Sequence, residues 1–319
     1  MSSEFRVRSF KTEVSELRTK LLRTFLGEKM FGQLIVSGLA VGACYALLAI
    51  AMVIIYKTSD VLNFAQGEMA MVCTFVTFTL LDSYHLPFPW AMVLTFLFAI
   101  FLGIFFEIVF LRQAKDPNIL GLIIITLGFE MVLMGFAGWK WGPDQRSFPF
   151  PVSNIETYKF SGLIISKINF WTILISLVLM FVLFLFFRYT KLGTAMRATQ
   201  QNQLAARVMG IRTKWILSFT WAISSMVGAA AGMLIAALGI LDPPMMMDPL
   251  LKGFASGVLG GMTSLPGAAL GGAMLGIIEN LFGGYVSLSF KSAVAFAIIV
   301  LMLCIRPSGL LARHYVKKV

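Results

Sequence analysis

Six stretches of the chain, 31–56, 88–111, 118–138, 168–187, 215–241 and 288–305, run for eighteen residues or more with at most one charge each. A helix needs about 20 mostly apolar residues to cross a bilayer. In lipid the backbone must satisfy its own hydrogen bonds, so stretches of this kind predict spanning helices. Composition excludes the soluble globular class: of 319 residues, 58% are apolar and 13% charged, with a mean hydropathy of +0.86. The expected fold class is all-α, a polytopic membrane protein.

Two further regions are apolar but interrupted. The first, 58–82, opens with Asn63, Gln66, Gly67 and Glu68; the second, 248–284, carries Thr263-Ser-Leu-Pro-Gly267 in its middle. Irregular backbone at membrane depth survives where protein buries it or a wet cavity receives it. Each region is expected to be a re-entrant hairpin of short half-spans, bringing the total to about eight membrane segments. Interrupted segments in both halves of a chain are the pattern of inverted-repeat transporters.

Charge placement sets the expected topology, since cytoplasmic loops carry the excess of Lys and Arg. The segments 1–30, 112–118, 188–214 and 306–319 hold 19 basic and 5 acidic residues, against 5 basic and 6 acidic in 57–62, 82–88, 139–169 and 242–249. If both hairpins enter and leave from the outer side, both termini are cytoplasmic and every loop agrees. The chain then divides into a cytoplasmic amphipathic leader (1–30), a transmembrane domain (31–306) with the cytoplasmic loop 188–214, and a basic tail (307–319). In the leader, Val14, Leu17, Leu21, Leu22 and Phe25 recur at helical spacing; it either lies on membrane lipid or stays solvated. The basic excess thus reads as loops beside an anionic leaflet, with no nucleic-acid partner implied.

No catalytic constellation is present. The sequence has no phosphate loop, dinucleotide fingerprint, HExxH or GxSxG, and its two histidines, His85 and His314, are far apart. Cys44, Cys73 and Cys304 lie in apolar stretches without metal-ligand spacing. Neither catalysis, nor a cofactor, nor a metal site is expected. Thioether binding of a soft metal by Met245, Met246 and Met247 is the weaker reading of a Met-rich rim.

Ionisable side chains inside membrane segments carry more information. Glu68, Glu107, Glu130, Lys252, Glu279 and Lys291 all fall there, and each costs roughly 2.5 to 3.5 kcal/mol unless paired or hydrated. Glu107 is expected to meet Arg112 at the inner interface, and Lys291 to reach outward. A Lys252–Glu68 pair across the two interrupted regions would neutralise both. The alternative is an ion-coupled secondary transporter in which Glu68, Glu130 and Lys252 relay protons or bind Na+. Gly228/Gly232, Gly257/Gly261, Gly267/Gly271 and Gly272/Gly276 have the spacing that lets helices approach closely.

The segment after the fourth clear span, 191–211, joins charges to small residues at helical spacing: Ala195, Ala198, Ala205 and Ala206, with Gly193 and Gly210 near its ends. Such a helix suits the groove of another protein. Here the sequence resembles the permease subunits of ABC importers of the branched-chain amino acid type, through Gly193-Thr-Ala-Met-Arg-Ala198 and Ala205-Ala-Arg-Val-Met-Gly-Ile211. Three more blocks agree: Tyr45-Ala-Leu with Asn63-Phe-Ala-Gln-Gly-Glu68, Lys252-Gly-Phe through Val258-Leu-Gly-Gly-Met-Thr-Ser-Leu-Pro-Gly267, and Arg306-Pro-Ser-Gly-Leu310. Gln66 stands where the family usually has His, which removes a group able to titrate near neutral pH.

The resemblance implies a permease subunit in a bacterial inner membrane. Its partners would be a second, unlike permease, two cytoplasmic ATP-binding subunits and a periplasmic solute-binding protein. The implied ATPase-coupling residues are Gly193, Arg197, Ala198, Ala205, Arg207 and Gly210. The implied translocation path comprises Asn63, Gln66, Glu68, Lys252, Ser264 and Pro266. The solute would be a branched-chain amino acid or a related amide, urea or carboxylate.

Overall fold

The computed structural model describes residues 2–114, 118–152, 156–160, 163–306 and 309–311, with side chains from Met30 onward except at 159, 160 and 163. The first helix, α1 (Ser2–Ser59), continues through the leader, whose side chains lie outside the described residues. From Ala40 to Ile55 its side chains are almost wholly buried, as an all-round apolar helix requires. It ends where Asp60 adopts a left-handed conformation (φ 56°) and its amide bonds back to the Tyr56 carbonyl.

Residues 60–65 then climb back into the protein, and α2 (Gln66–Asp82) starts in the interior. The region expected to form a hairpin is therefore one helix preceded by a loop. Its first turn packs on the middle of α8 (Thr213–Leu238), with Gln66 against Ser224, and its last turn meets the end of α4 (Ile119–Trp141) through a 2.8 Å Trp141–Thr79 hydrogen bond. Between them, α3 (Phe88–Phe106) continues as a π-helical turn, Glu107–Leu111. That turn swings Glu107 onto Arg112, as expected, and also onto Ser218 of α8.

After α4 come an antiparallel hairpin, β1 (Thr157–Phe160) and β2 (Leu163–Ser166), and helix α5 (Lys167–Tyr189). The hairpin departs from the all-α expectation; its register, Tyr158 opposite Ile165, sets aromatic against β-branched side chains. Two short helices, α6 (Lys191–Gln201) and α7 (Gln203–Val208), lead into α8. The Met-rich segment is a single 3-10 turn, Pro243–Met246, whose Met246 is buried beside Gly67. Helices α9 (Met247–Gly260) and α10 (Leu265–Tyr285) form the second interrupted region, and α11 (Lys291–Ile305) closes the chain.

Six helices among the described residues are long and apolar enough to cross a membrane: Met30–Ser59, Phe88–Leu111, Ile119–Trp141, Lys167–Tyr189, Thr213–Leu238 and Leu265–Tyr285. Five match expected spans. The sixth, α10, lies in the region read as short half-spans, whereas 288–305 yields only the 15-residue α11. Helices α9 and α10 do form a hairpin, but a short helix with a full-length one.

Small residues make the centre possible. Helix α10 runs antiparallel to α1, and a Cβ at Gly272 would stand 2.5 Å from the Ala46 nitrogen, so the two backbones touch only because it is glycine. The amide of Gln66 occupies the room that Gly228 leaves open.

The two ends of the molecule follow from contacts. The Thr58 carbonyl accepts from Gln203 at 3.1 Å, so the C-terminal end of α1 shares an end with α6 and α7. At the same end, Leu310 and Leu311 donate to the carbonyls of Leu259 and Gly260. Met30, at the start of the span within α1, therefore lies at the opposite end from loop 188–214. This corrects the double re-entrant topology, which put Met30 and that loop on one side: with α2 a single helix, the parity of crossings is reversed.

Candidate functional site

Three polar groupings interrupt the apolar body. The first gathers where α2 begins. Asn63 donates to Gln66 Oε1 at 3.0 Å, and the Gln66 amide donates to the Ser224 carbonyl at 3.1 Å. The Ser224 hydroxyl is 2.7 Å from the Ala51 carbonyl and 3.0 Å from Gln66 Oε1. Nearby, the Phe64 amide is held by Thr126 of α4 at 3.3 Å. The knot ties the break in the membrane-embedded backbone to three helices; leaving such groups without partners would cost about 1 to 3 kcal/mol each.

Asn63 and Gln66, expected in one site, are thus brought together, while Ser224 and Thr126 escaped the sequence reading. Hydroxyls in apolar helices usually bond their own i−4 carbonyl, as Thr74 and Thr77 do here, so nothing in the sequence singles out these two. Glu68 sits two residues further along, in the first turn of α2, 1% exposed, with Oε2 lacking a hydrogen-bond partner. It feels the like charge of Glu130 on α4.

The second grouping joins α9, α10 and α1. The Lys252 ammonium lies 2.5 Å from Glu279 Oε1 and 2.5 Å from Asp248 Oδ2, and 5.6 Å above the Tyr45 ring. Lys291 of α11 approaches the same Glu279 oxygen at 4.0 Å. The expected Lys252–Glu68 pair is not formed. Lys252 and Glu279 face each other across the α9–α10 hairpin, and local geometry outcompetes a pairing between distant regions. The ion-coupled alternative loses its shared relay for the same reason: Lys252 is held by two carboxylates, apart from Glu68 and Glu130.

Ser264 and Pro266 lie elsewhere, at the turn of that hairpin. Ser264 caps α10 by accepting from the Gly267 amide at 3.1 Å, and Pro266 occupies the first helical turn, where its missing N–H costs nothing.

The third grouping is the surface formed by α6 and α7. Thr190 caps α6 at the Gly193 amide (3.0 Å), and Asn202 caps α7 at the Ala205 amide (3.0 Å). Gly193 is required by closeness, since a Cβ there would stand 2.7 Å from the Phe187 backbone; Gly210 is required by conformation, with φ at 83°. Arg207 donates to Thr213 Oγ1 at 2.8 Å and Gln203 to Thr58, which anchors the pair on α8 and α1. Ala198 is partly buried, whereas Ala205 and Arg197 are exposed. Leu204, Val208 and Met209 are exposed at 70%, 82% and 82%. These three apolar side chains were not among the expected contact residues.

Comparison of the sequence with known proteins identifies its family. A family model described as "Branched-chain amino acid transport system / permease component" fits residues 34–303. The high-affinity branched-chain amino acid transport system permease protein LivH of Escherichia coli K12 is 30% identical over 304 residues, covering 91% of this chain and 98% of LivH. BraD of Pseudomonas aeruginosa, of the same description, is 30% identical over 90% of this chain and 97% of its own. The autoinducer 2 import system permease protein LsrC of Salmonella paratyphi B is more distant, 27% identical over 72% of this chain and 64% of LsrC. The chain belongs to the branched-chain amino acid transport permease family.

Proposed function

We propose that this chain is the pathway-forming subunit of an ATP-driven importer in a bacterial inner membrane, passing a small polar solute of the branched-chain amino acid class. The likeness to LivH and BraD supports that class; LsrC, named for autoinducer 2 import, shows a more distant relative named for another solute. The observation that carries the reading is the exposed face of α7 and its C-terminal flank, where Leu204, Val208 and Met209 stand out beside Arg207 on a capped, anchored support. An apolar patch on a rigid helical support is what docking into a partner's groove needs.

In this reading two ATP-binding subunits seat on that face, and their closure shifts the permease between outward and inward states. Loop 188–214, with six basic residues and no acid, is then cytoplasmic. Met30 and the β1–β2 hairpin face the periplasm, where a binding protein delivers solute, and a second, unlike permease completes the path past Asn63, Gln66 and Glu68. The leader 1–30 accordingly starts outside, and the tail 307–319 lies inside.

Purification of the intact assembly, followed by solute uptake in proteoliposomes with the binding protein added, tests the proposal. Uptake that requires ATP and stops when Val208 or Met209 is made acidic is the expected result. Uptake without ATP overturns it.

A further inference from the structure

Two cations share a pocket at the α6 end with no counter-charge among the described residues. Lys57, in the last turn of α1, and Arg197, in α6, line one small pocket together with Thr58, Gln200, Met196 and Leu265. Among the described residues, neither has a carboxylate within ion-pair distance; Arg197 donates only to the Arg188 carbonyl and Thr194 Oγ1, at 3.4 and 3.3 Å. Like charges sharing a pocket repel unless an anion sits between them.

Leu265 also lines a second cavity, on the seam of α1, α5 and α10, whose Ile50 and Phe184 lie about one turn from Ile54 and Phe187 of the first. That cavity measures about 410 Å³, within the roughly 300–1,000 Å³ range of ligand sites. Its walls are apolar throughout, from Leu39 to Ile50 along α1, a rise of about 16 Å at 1.5 Å per residue. Leu177, Phe181 and Leu270 are exposed along its rim, so it opens sideways from the helix bundle.

A basic pocket at one end of a membrane-depth apolar groove matches an amphipathic anion. We propose that the seam binds one anionic phospholipid, its acyl chain in the α1–α5–α10 groove and its phosphate between Lys57 and Arg197. The headgroup then bridges the end of a spanning helix to α6, the first helix of the exposed pair. Membrane-facing lysine and arginine clusters of this kind favour anionic over zwitterionic lipid.

The full-length chain, purified in mild detergent with whatever subunits accompany it, is incubated with equimolar phosphatidylglycerol and phosphatidylcholine vesicles, and retained lipid is read by native mass spectrometry. The wild type retains phosphatidylglycerol in preference. Lys57→Gln lowers that preference about fivefold, the factor expected for one cation at an anionic surface, and leaves phosphatidylcholine unchanged. Ala269→Phe fills the groove and lowers both lipids; Leu177→Trp, at an exposed position, repeats that arm if Ala269→Phe fails to fold. Equal retention of the two lipids by the wild type overturns the proposal. So does unchanged lipid retention in Lys57→Gln with reduced recovery of bound ATPase, which would assign the missing anion to a partner's carboxylate.

Discussion

Lys252 and Glu279 are bonded at 2.5 Å across the α9–α10 hairpin while their residues are only 4% and 1% exposed. Removing either partner leaves a buried charge, which costs about 3 to 5 kcal/mol. Lys252→Met and Glu279→Gln are each expected to lower the melting temperature of the detergent-solubilised protein sharply, with the double substitution recovering much of the loss. A double-mutant cycle measures the coupling; additive losses would mean that the Asp248 and Lys291 contacts hold the two residues independently.

The α1–α10 contact makes a second expectation. Gly272→Val forces a side chain into the Ala46 backbone and is expected to cost at least the 1 to 3 kcal/mol typical of overpacking. Gly128→Ala on α4, where a Cβ meets nothing within 4 Å, is expected to be neutral or to stabilise by up to about 1 kcal/mol. Thermal unfolding of both variants checks the contrast, and equal effects would reject the close approach.

Substitution on the exposed helix pair separates docking from stability. Val208→Asp is expected to change stability by less than about 0.5 kcal/mol, because the side chain is 82% exposed. Recovery of ATP-binding subunits with the permease should fall severalfold, a cost of at least about 1 kcal/mol for a contact at the centre of an interface. Undiminished recovery would move the docking face elsewhere.

Side-specific labelling of single cysteines checks the topology. In a background lacking Cys44, Cys73 and Cys304, positions Ser3 and Asp144 should react from outside and Gln201 from inside. The result at Ser3 decides, since the charge count alone placed it inside. Labelling of Ser3 from the cytoplasm would reject the crossing of α1 from Met30 to Ser59.

The polar knot gives the last expectation. Gln66→Leu takes the acceptor from Asn63 Nδ2, while the Ser224 hydroxyl keeps the Ala51 carbonyl, and a cost of about 1 to 3 kcal/mol is expected in denaturation measurements. Gln66→Glu keeps the acceptor but sets an unpaired buried carboxylate against the Ser224 carbonyl, so it should cost at least as much as Gln66→Leu.

Sequence alone determined the helical membrane class, five of the six membrane-length helices, and the helical character and flanking glycines of the 191–211 segment. Those features are local: apolar length, helical spacing of small residues and a glycine at a forced conformation act along a single element. Tertiary structure decided the rest. Charge counting placed Met30 with loop 188–214, yet the Thr58–Gln203 bond puts them at opposite ends, because one helix in place of a hairpin reverses every later crossing. Likewise Lys252 found Glu279 rather than Glu68, and Gln66 found Ser224, 158 positions away in sequence. Partners of buried polar groups are set by which helix faces meet, and in a bundle of uniformly apolar helices the one-dimensional pattern carries little record of that choice.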